Sequence, residues 1–426
     1  MEQNRFYGWK LIAALWLIVF FNLVIAAYGS PVMNAAMAKQ MHSSHFLAGL
    51  PYSLYTMMSG VPALAVAYLV RRFGVRGTVM LGSALIFIGA VSMATLVHSA
   101  GAAIVAFGVI VGVGVSWGGP FGVQPSVANW FVRRRALALA IVYSAGGVGG
   151  FIAARALNKL VTAYADWRVG WWVYAGTAAL AFVLAALCIR NRPSDLGQVP
   201  DGVAEPAAAS TAGATGAPPA PAKARPAFIT REVWSFRDVF HSGRFWIIAL
   251  ALCGGSAGYT LFLSQGIQHL IDLGHSSADA ALAVSLTTGS TLLGKVVLGT
   301  FGDRIDPRYI YAFTLGVFAL GFVLVLDARS MTSLYVFSVC LGLGFGGGLV
   351  CLMSVLSNYF GAEAFPVAAG LAGALNTSIS FVLSAAGGYT FDHIGSFAPA
   401  FYTLAGWCLA GAVALLMMRP PVRGAA

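Results

Sequence analysis

The chain has 426 residues, 59% hydrophobic and 9% charged, which leaves too little polar surface to cover a soluble domain of this size. Apolar runs of about 20 residues recur along almost the whole length, as a helix rising 1.5 Å per residue needs to cross a bilayer core; barrel strands would be shorter and alternating. The formal net charge of +11 invites a nucleic-acid partner, but the basic residues gather in alternate loops, so the charge reports topology and no nucleic acid is expected.

Twelve spans are expected, beginning near Gly8, His45, Gly77, Gly101, Ala136, Val169, Phe245, Asp279, Tyr309, Thr332, Phe365 and Phe397. The first, Gly8 to Ala27, is too long for a signal-peptide core and is expected to remain as a span. Basic clusters lie at Arg5 and Lys10, at Arg71, Arg72 and Arg76, at Arg133 to Arg135, from Arg190 to Arg244, at Arg304 and Arg308, and at Arg419 and Arg423. The intervening loops carry only Lys39, Lys159, Arg168 and Arg329, an asymmetry that puts both termini in the cytoplasm of a cell inner (plasma) membrane protein. Residues 1–190 read as an N-terminal six-helix bundle and 244–426 as a C-terminal one. Residues 191–243 between them read as a flexible cytoplasmic linker, because the middle, Val203 to Pro226, is mostly Ala, Pro and Gly. The five cysteines fall inside apolar runs without paired spacing or a His cluster, so they read as small core residues and neither metal nor cofactor is expected.

The two sides of the linker resemble each other. Gly112-Val113-Gly114 matches Gly342-Leu343-Gly344, and Asn129-Trp130-Phe131 matches Asn358-Tyr359-Phe360. The turn Arg71-Arg72-Phe73-Gly74-Val75-Arg76 likewise corresponds to Asp303-Arg304-Ile305-Asp306-Pro307-Arg308. Two six-span halves joined by a long linker form the plan of transporters that alternate access around a site between the halves.

These charged turns resemble the loop motif of the major facilitator superfamily, which implies an all-α integral membrane fold of twelve transmembrane helices in two pseudo-symmetric six-helix bundles. Gly299-x-x-x-Asp303-Arg304 carries the motif intact, while Arg71 stands where the N-terminal copy usually has aspartate. The resemblance implies a cytoplasmic latch at Arg72, Arg76, Asp303, Arg304 and Arg308.

The string Asn129 to Ala138 followed by Ser144 to Gly149 resembles the fourth-to-fifth-span signature of monocarboxylate transporters and oxalate/formate exchangers. Its basic cluster anchors the loop at the anionic leaflet, and its small residues let the fifth helix pack closely. Arg5-Phe6-Tyr7-Gly8-Trp9 is similar to the start of the first span in the same group. In span eight, Lys295 stands eight residues before Asp303, where the family has an arginine that binds substrate carboxylate. The proline-containing Gly-rich motif of drug/proton antiporters is missing from span five.

A charge inside a span costs several kcal/mol at the bilayer centre, so the two basic residues left after loops and tails are assigned, Lys295 and Arg155, stand out. Lys295 either snorkels its ammonium to the headgroups or, on a polar face with Thr288 and Thr291, pairs with a substrate anion. No acid stands four residues before it, where the family often has one, so a substrate carboxylate would supply the missing charge. Arg155, about 28 Å along span five from Ala136, is an interfacial anchor or an attractor of anions in an outer vestibule.

Uncharged candidates for the substrate site are Asn22, Trp117, Phe121, Tyr143, Tyr259, Gln265, Asn376 and Ser380. At Asn376, relatives that handle a dicarboxylate place a second cation; Asn offers neutral hydrogen bonds, which suit a monoanion. His269, near an outer helix end, is expected to be water-exposed. All acidic residues fall in loops, tails or span ends, which counts against a cationic cargo. No metal-spaced cluster, nucleophile–base pair or nucleotide-binding domain suggests an enzyme or an ATP-driven pump. The expectation is therefore a monomeric secondary transporter of small organic anions, chiefly monocarboxylates. Coupling would be either symport with a proton carried on Lys295 or exchange of one anion for another, with an exporter of another small metabolite or drug as a further alternative.

Overall fold

The computed structural model describes residues 6–132, 134–202, 230, 234–301 and 305–419; Asp303 and Arg304, Arg133 and the middle of the linker lie outside them. Among the described residues every regular element is helical. Twelve long helices follow in chain order among the described residues. The first is α1 (Gly8–Gln40), and the segment His45–Thr95 is interrupted at Gly74 to give α2 (45–73) and α3 (75–95). Then come α4 (Ala100–Trp130), α5 (Arg135–Tyr164) and α6 (Arg168–Cys188). The second half comprises α7 (Gly243–Asp272), α8 (Ser277–Phe301), α9 (Pro307–Leu326), α10 (Met331–Gly361), α11 (Val367–Ile394) and α12 (Ala398–Met417). A row of large apolar side chains, among them Leu187, Phe313, Leu409 and Leu416, is exposed on the outside of the bundle, as a lipid-facing surface requires.

Local chemistry sets the helix ends. Ser44, Ser99 and Ser330 accept N–H bonds three residues on and start α2, α4 and α10. Gly395, in the left-handed region at φ 74°, stops α11. Gly74 (φ 71°, ψ 172°) and Gly361 (φ 77°, ψ 170°) adopt nearly one conformation, reserved in practice for glycine, and turn the chain between α2 and α3 and between α10 and α11.

The repeated glycines occupy matching places in the two halves. A Cβ on Gly112 would lie 2.6 Å from Met58 on α2, and one on Gly342 would lie 2.2 Å from the Thr287 carbonyl on α8. Gly114 packs against α3 at Ile86, while Gly344 packs against Phe318 on α9. Where helix association gains little from the hydrophobic effect, such close backbone approach supplies the packing.

Both described chain ends and both ends of the linker lie on one face. Tyr7 donates its hydroxyl to the Cys188 carbonyl (2.9 Å) and its N–H to Gln198, and Arg308 donates to the Met418 carbonyl. Burial of the Tyr7 ring, reinforced by Cys188, pushes its phenol above the ordinary range against the nearby Arg190. The linker is more ordered at its margins than its composition suggests: Arg192 to Leu196 form a capped turn, and Phe236–His241 forms a short helix with a Ser235–Asp238 capping box.

Candidate functional site

The halves meet along α2 with α7 and α11, α5 with α8, and the far end of α1 with α7. Among the described residues, no comparably extensive pairing joins α4 or α5 to α10 or α11 on the face that carries the chain ends. The bundle is therefore closed away from the termini and splayed towards them.

Three contacts make the closed side. Ser53 of α2 and Ser384 of α11 share a hydrogen bond of 2.9 Å, with Ser264 of α7 at 3.5 Å from Ser384. Nearer the surface, the Asp392 carboxylate at the end of α11 accepts the N–H groups of His45 (2.8 Å) and Phe46 (3.0 Å), capping the N-terminus of α2 in the other half. His45 also packs its ring on Phe391, 3.9 Å between centroids.

Between α5 and α8, Gly147 lies against Leu292 and Gly150 against Thr288, whose hydroxyl donates to the Gly150 carbonyl at 2.6 Å. A side chain at Gly150 would meet the Thr288 Cβ at 2.9 Å, so the small residues of the motif serve this crossing. The helices run in opposite directions, which puts Tyr143 and Lys295 one turn beyond Gly147 and Leu292, at the level where the halves begin to part. Lys295 follows Thr288 by seven residues and Thr291 by four, between the stripe that faces α5 and the stripe that Gly346 of α10 packs on at Thr291. It is half-buried, and among the described residues no carboxylate or hydrogen-bond acceptor pairs with it. Thr291 spends its proton on the Thr288 carbonyl, leaving only lone pairs to offer.

Above that level lies a cluster of tyrosines that sequence reasoning only partly found. Tyr259 stacks on Phe345 with centroids 4.1 Å apart, and its buried hydroxyl has no partner. Tyr28 and Tyr52 lie within electrostatic reach of it. Tyr52 donates to the Ala27 carbonyl, and Tyr55 stacks on Phe107. Tyr28 and Phe107 sit in π-helical stretches, Ile25–Gly29 of α1 and Ile104–Val111 of α4, a distortion that recurs at functional sites. From α11, Asn376 and Ser380 are one turn apart, both buried and each with an unpartnered side-chain oxygen. Tyr28, Tyr52 and Tyr55 on α1 and α2 were a signal in the sequence; the convergence of those helices on α7 was not.

Other expected residues are placed elsewhere. Asn22 is fully buried and donates to Ser83 (2.9 Å) and the Gly118 carbonyl (2.8 Å), tying α1 and α3 to the break in α4 at Gly119-Pro120. Trp117 donates to the Pro62 carbonyl of α2, and Phe121 is exposed without a ring partner among the described residues. Arg155 is exposed and lies over the Phe151 ring, 5.4 Å from its centroid, one turn before Asn158, which lines a cavity on the closed face. His269 is buried, not water-exposed: its ring bonds the Val325 carbonyl and packs edge-on to Phe397.

In the charged turns, Arg72 donates to Tyr68, whereas the Arg76 N–H donates to Asn191. Asn191, whose carbonyl also accepts from Asn129, holds the N-terminal turn that lacks the usual aspartate. In the other half Arg308 pairs with Asp306 (3.1 Å), which accepts the Tyr359 hydroxyl.

The arrangement of two six-helix halves, closed on one face and lined centrally with polar groups, is that of an alternating-access transporter. The sequence matches the model of the Major Facilitator Superfamily over residues 15–270 and 262–426, and the chain belongs to that family. It is 25% identical to Monocarboxylate transporter 13 of Bos taurus over 405 residues, 94% of this chain and 84% of the relative. It is also 26% identical over 285 residues to the Agnestins efflux protein AgnL12 of Paecilomyces divaricatus, covering 66% of this chain and 56% of the relative. The crystal structure of a point mutant of the nucleoside transporter NupG superposes with a TM-score of 0.71 at 12% identity, over 95% of this chain and 99% of the other, a likeness of fold. The protein is a multi-pass membrane transporter.

Proposed function

We propose that this protein carries small monocarboxylates across a cell inner (plasma) membrane as a monomer with both termini cytoplasmic, and that Lys295 is the cation that receives the carboxylate. The observation that carries the reading is the lone ammonium on α8, set without a counter-ion among the described residues where the halves part. Such a group is stabilised when an anion arrives. The neutral groups of Tyr259, Asn376 and Ser380 suit one negative charge rather than two. The extended similarity to a relative named for monocarboxylate transport supports the same cargo. With no acid among the expected cavity residues, the proton of symport would ride on Lys295 and cross together with the anion, making the cycle electroneutral.

Proteoliposomes free of internal anion test this directly. Labelled lactate or pyruvate uptake should be stimulated by an inward proton gradient and lost in Lys295→Ala and Lys295→Gln, while Lys295→Arg retains a part. Normal uptake by Lys295→Ala would overturn the site. Uptake that requires internal anion and ignores the gradient would replace symport with exchange. A reporter fused near Ala214 should be cytoplasmic.

A further inference from the structure

On the closed face, between the halves and apart from Lys295, is a cavity of about 450 Å³, within the range of about 300–1,000 Å³ typical of small-molecule pockets. Its wall from the first half includes Asn34 and Lys39 of α1, His42 in the following turn and His45 at the start of α2; its wall from the second half includes Gln265 and Gln268 of α7. Asn34 is 1% exposed and neither its amide nitrogen nor its oxygen has a partner; Gln265 is 5% exposed and its oxygen is also unpartnered. Unmet buried amides are costly, and here two lie on opposite walls of one space. The rim is basic, with Lys39 and His42 exposed. No acid lines the cavity among the described residues. The nearby carboxylates already accept hydrogen bonds at or beside the wall: Asp272 from Gln268, Asp392 from the His45 N–H at the start of α2, and Asp279 from Ser276.

We propose that this vestibule is a second binding site, for a small hydroxycarboxylate held outside the closed gate. The carboxylate lies towards Lys39 and His42. A hydroxyl points inward to Asn34 and Gln265, whose polar atoms are covered by the wall in this state and turn to meet it, an amide oxygen accepting its proton and the Asn34 nitrogen donating to it. Simple carboxylates satisfy the rim but leave the deep amides unmet, so the site selects the hydroxylated acid. Because the walls come from both halves, occupancy favours the closed arrangement that forms them.

The test is equilibrium binding of labelled lactate and mandelate to the purified full-length protein, with propionate and phenylacetate as their deoxy counterparts. In Lys295→Ala, which removes the proposed central cation, one saturable site should remain, with each hydroxy acid favoured over its counterpart by about tenfold or more. Added to that background, Asn34→Leu should abolish the preference, and Lys39→Gln, at the exposed rim, should weaken all four acids. Absence of saturable binding in Lys295→Ala would overturn the proposal. So would binding there that neither Asn34→Leu nor Lys39→Gln alters. Failure of the central-site reading would appear separately, as unchanged transport in Lys295→Ala.

Discussion

Asp392 is the residue whose removal should most directly change how the transporter rests. Its carboxylate accepts two N–H groups at the start of α2, and it can do so only while the halves are closed on that face. Asp392→Ala therefore takes stability from the closed state alone. The contact is exposed, so it is comparable to an ordinary helix N-cap, about 0.5–2 kcal/mol, with part of that arising from the helix dipole, about 0.3–1 kcal/mol. A loss of about 0.5–2 kcal/mol lowers the closed-to-open ratio by about 2- to 30-fold. Asp392→Asn, which keeps an oxygen acceptor but not the charge, should fall between this variant and the parent. Spin labels at Leu47 and Ile394, both exposed at the ends of the two helices, report the separation by pulsed electron resonance in a cysteine-free background. The short-distance population should shrink in the order parent, Asp392→Asn, Asp392→Ala. A distribution within twofold of the parent in Asp392→Ala would refute the latch and leave closure to the buried Ser53–Ser384 contact.

Tyr259→Phe removes a buried hydroxyl that has no partner, so thermal stability should hold or rise slightly while substrate affinity falls; unchanged affinity in uptake assays would remove Tyr259 from the site. Gly82→Val would bring a Cβ to 2.1 Å from the Gly118 nitrogen, and overpacking of this kind costs about 1–3 kcal/mol or more, read as a lower melting temperature in detergent. Gly74→Ala should lose about 1–3 kcal/mol because its backbone conformation excludes a side chain, whereas Gly316→Ala, where a Cβ meets nothing within 4 Å, should melt at or above the parent temperature; equal melting of the two would contradict the glycine requirement of the α2–α3 turn.

The helix count, the two halves and the interest of Lys295 were legible in the sequence because each depends on a local or repeated signal: apolar run length, recurring glycines and a rare charge within a span. Side-chain destinations were not, since lipid is as apolar as a protein core and hydropathy cannot tell which face of a spanning helix meets protein. Asn22 and Tyr259 look alike as polar groups at mid-depth, yet one binds helices together around the break in α4 and the other presents an unpartnered hydroxyl. Likewise His269, near a helix end, bonds a carbonyl on α9, and Asp392 finds its partners more than 340 residues away, at the start of α2. Asn191 replaces the missing aspartate of the first charged turn because the end of α6 is brought beside it. The sequence alone determined which segments cross the membrane and in what repeating order; only the tertiary structure decided which polar groups are consumed in packing and which stay unpartnered, because a hydrogen bond depends on neighbours in space rather than in the chain.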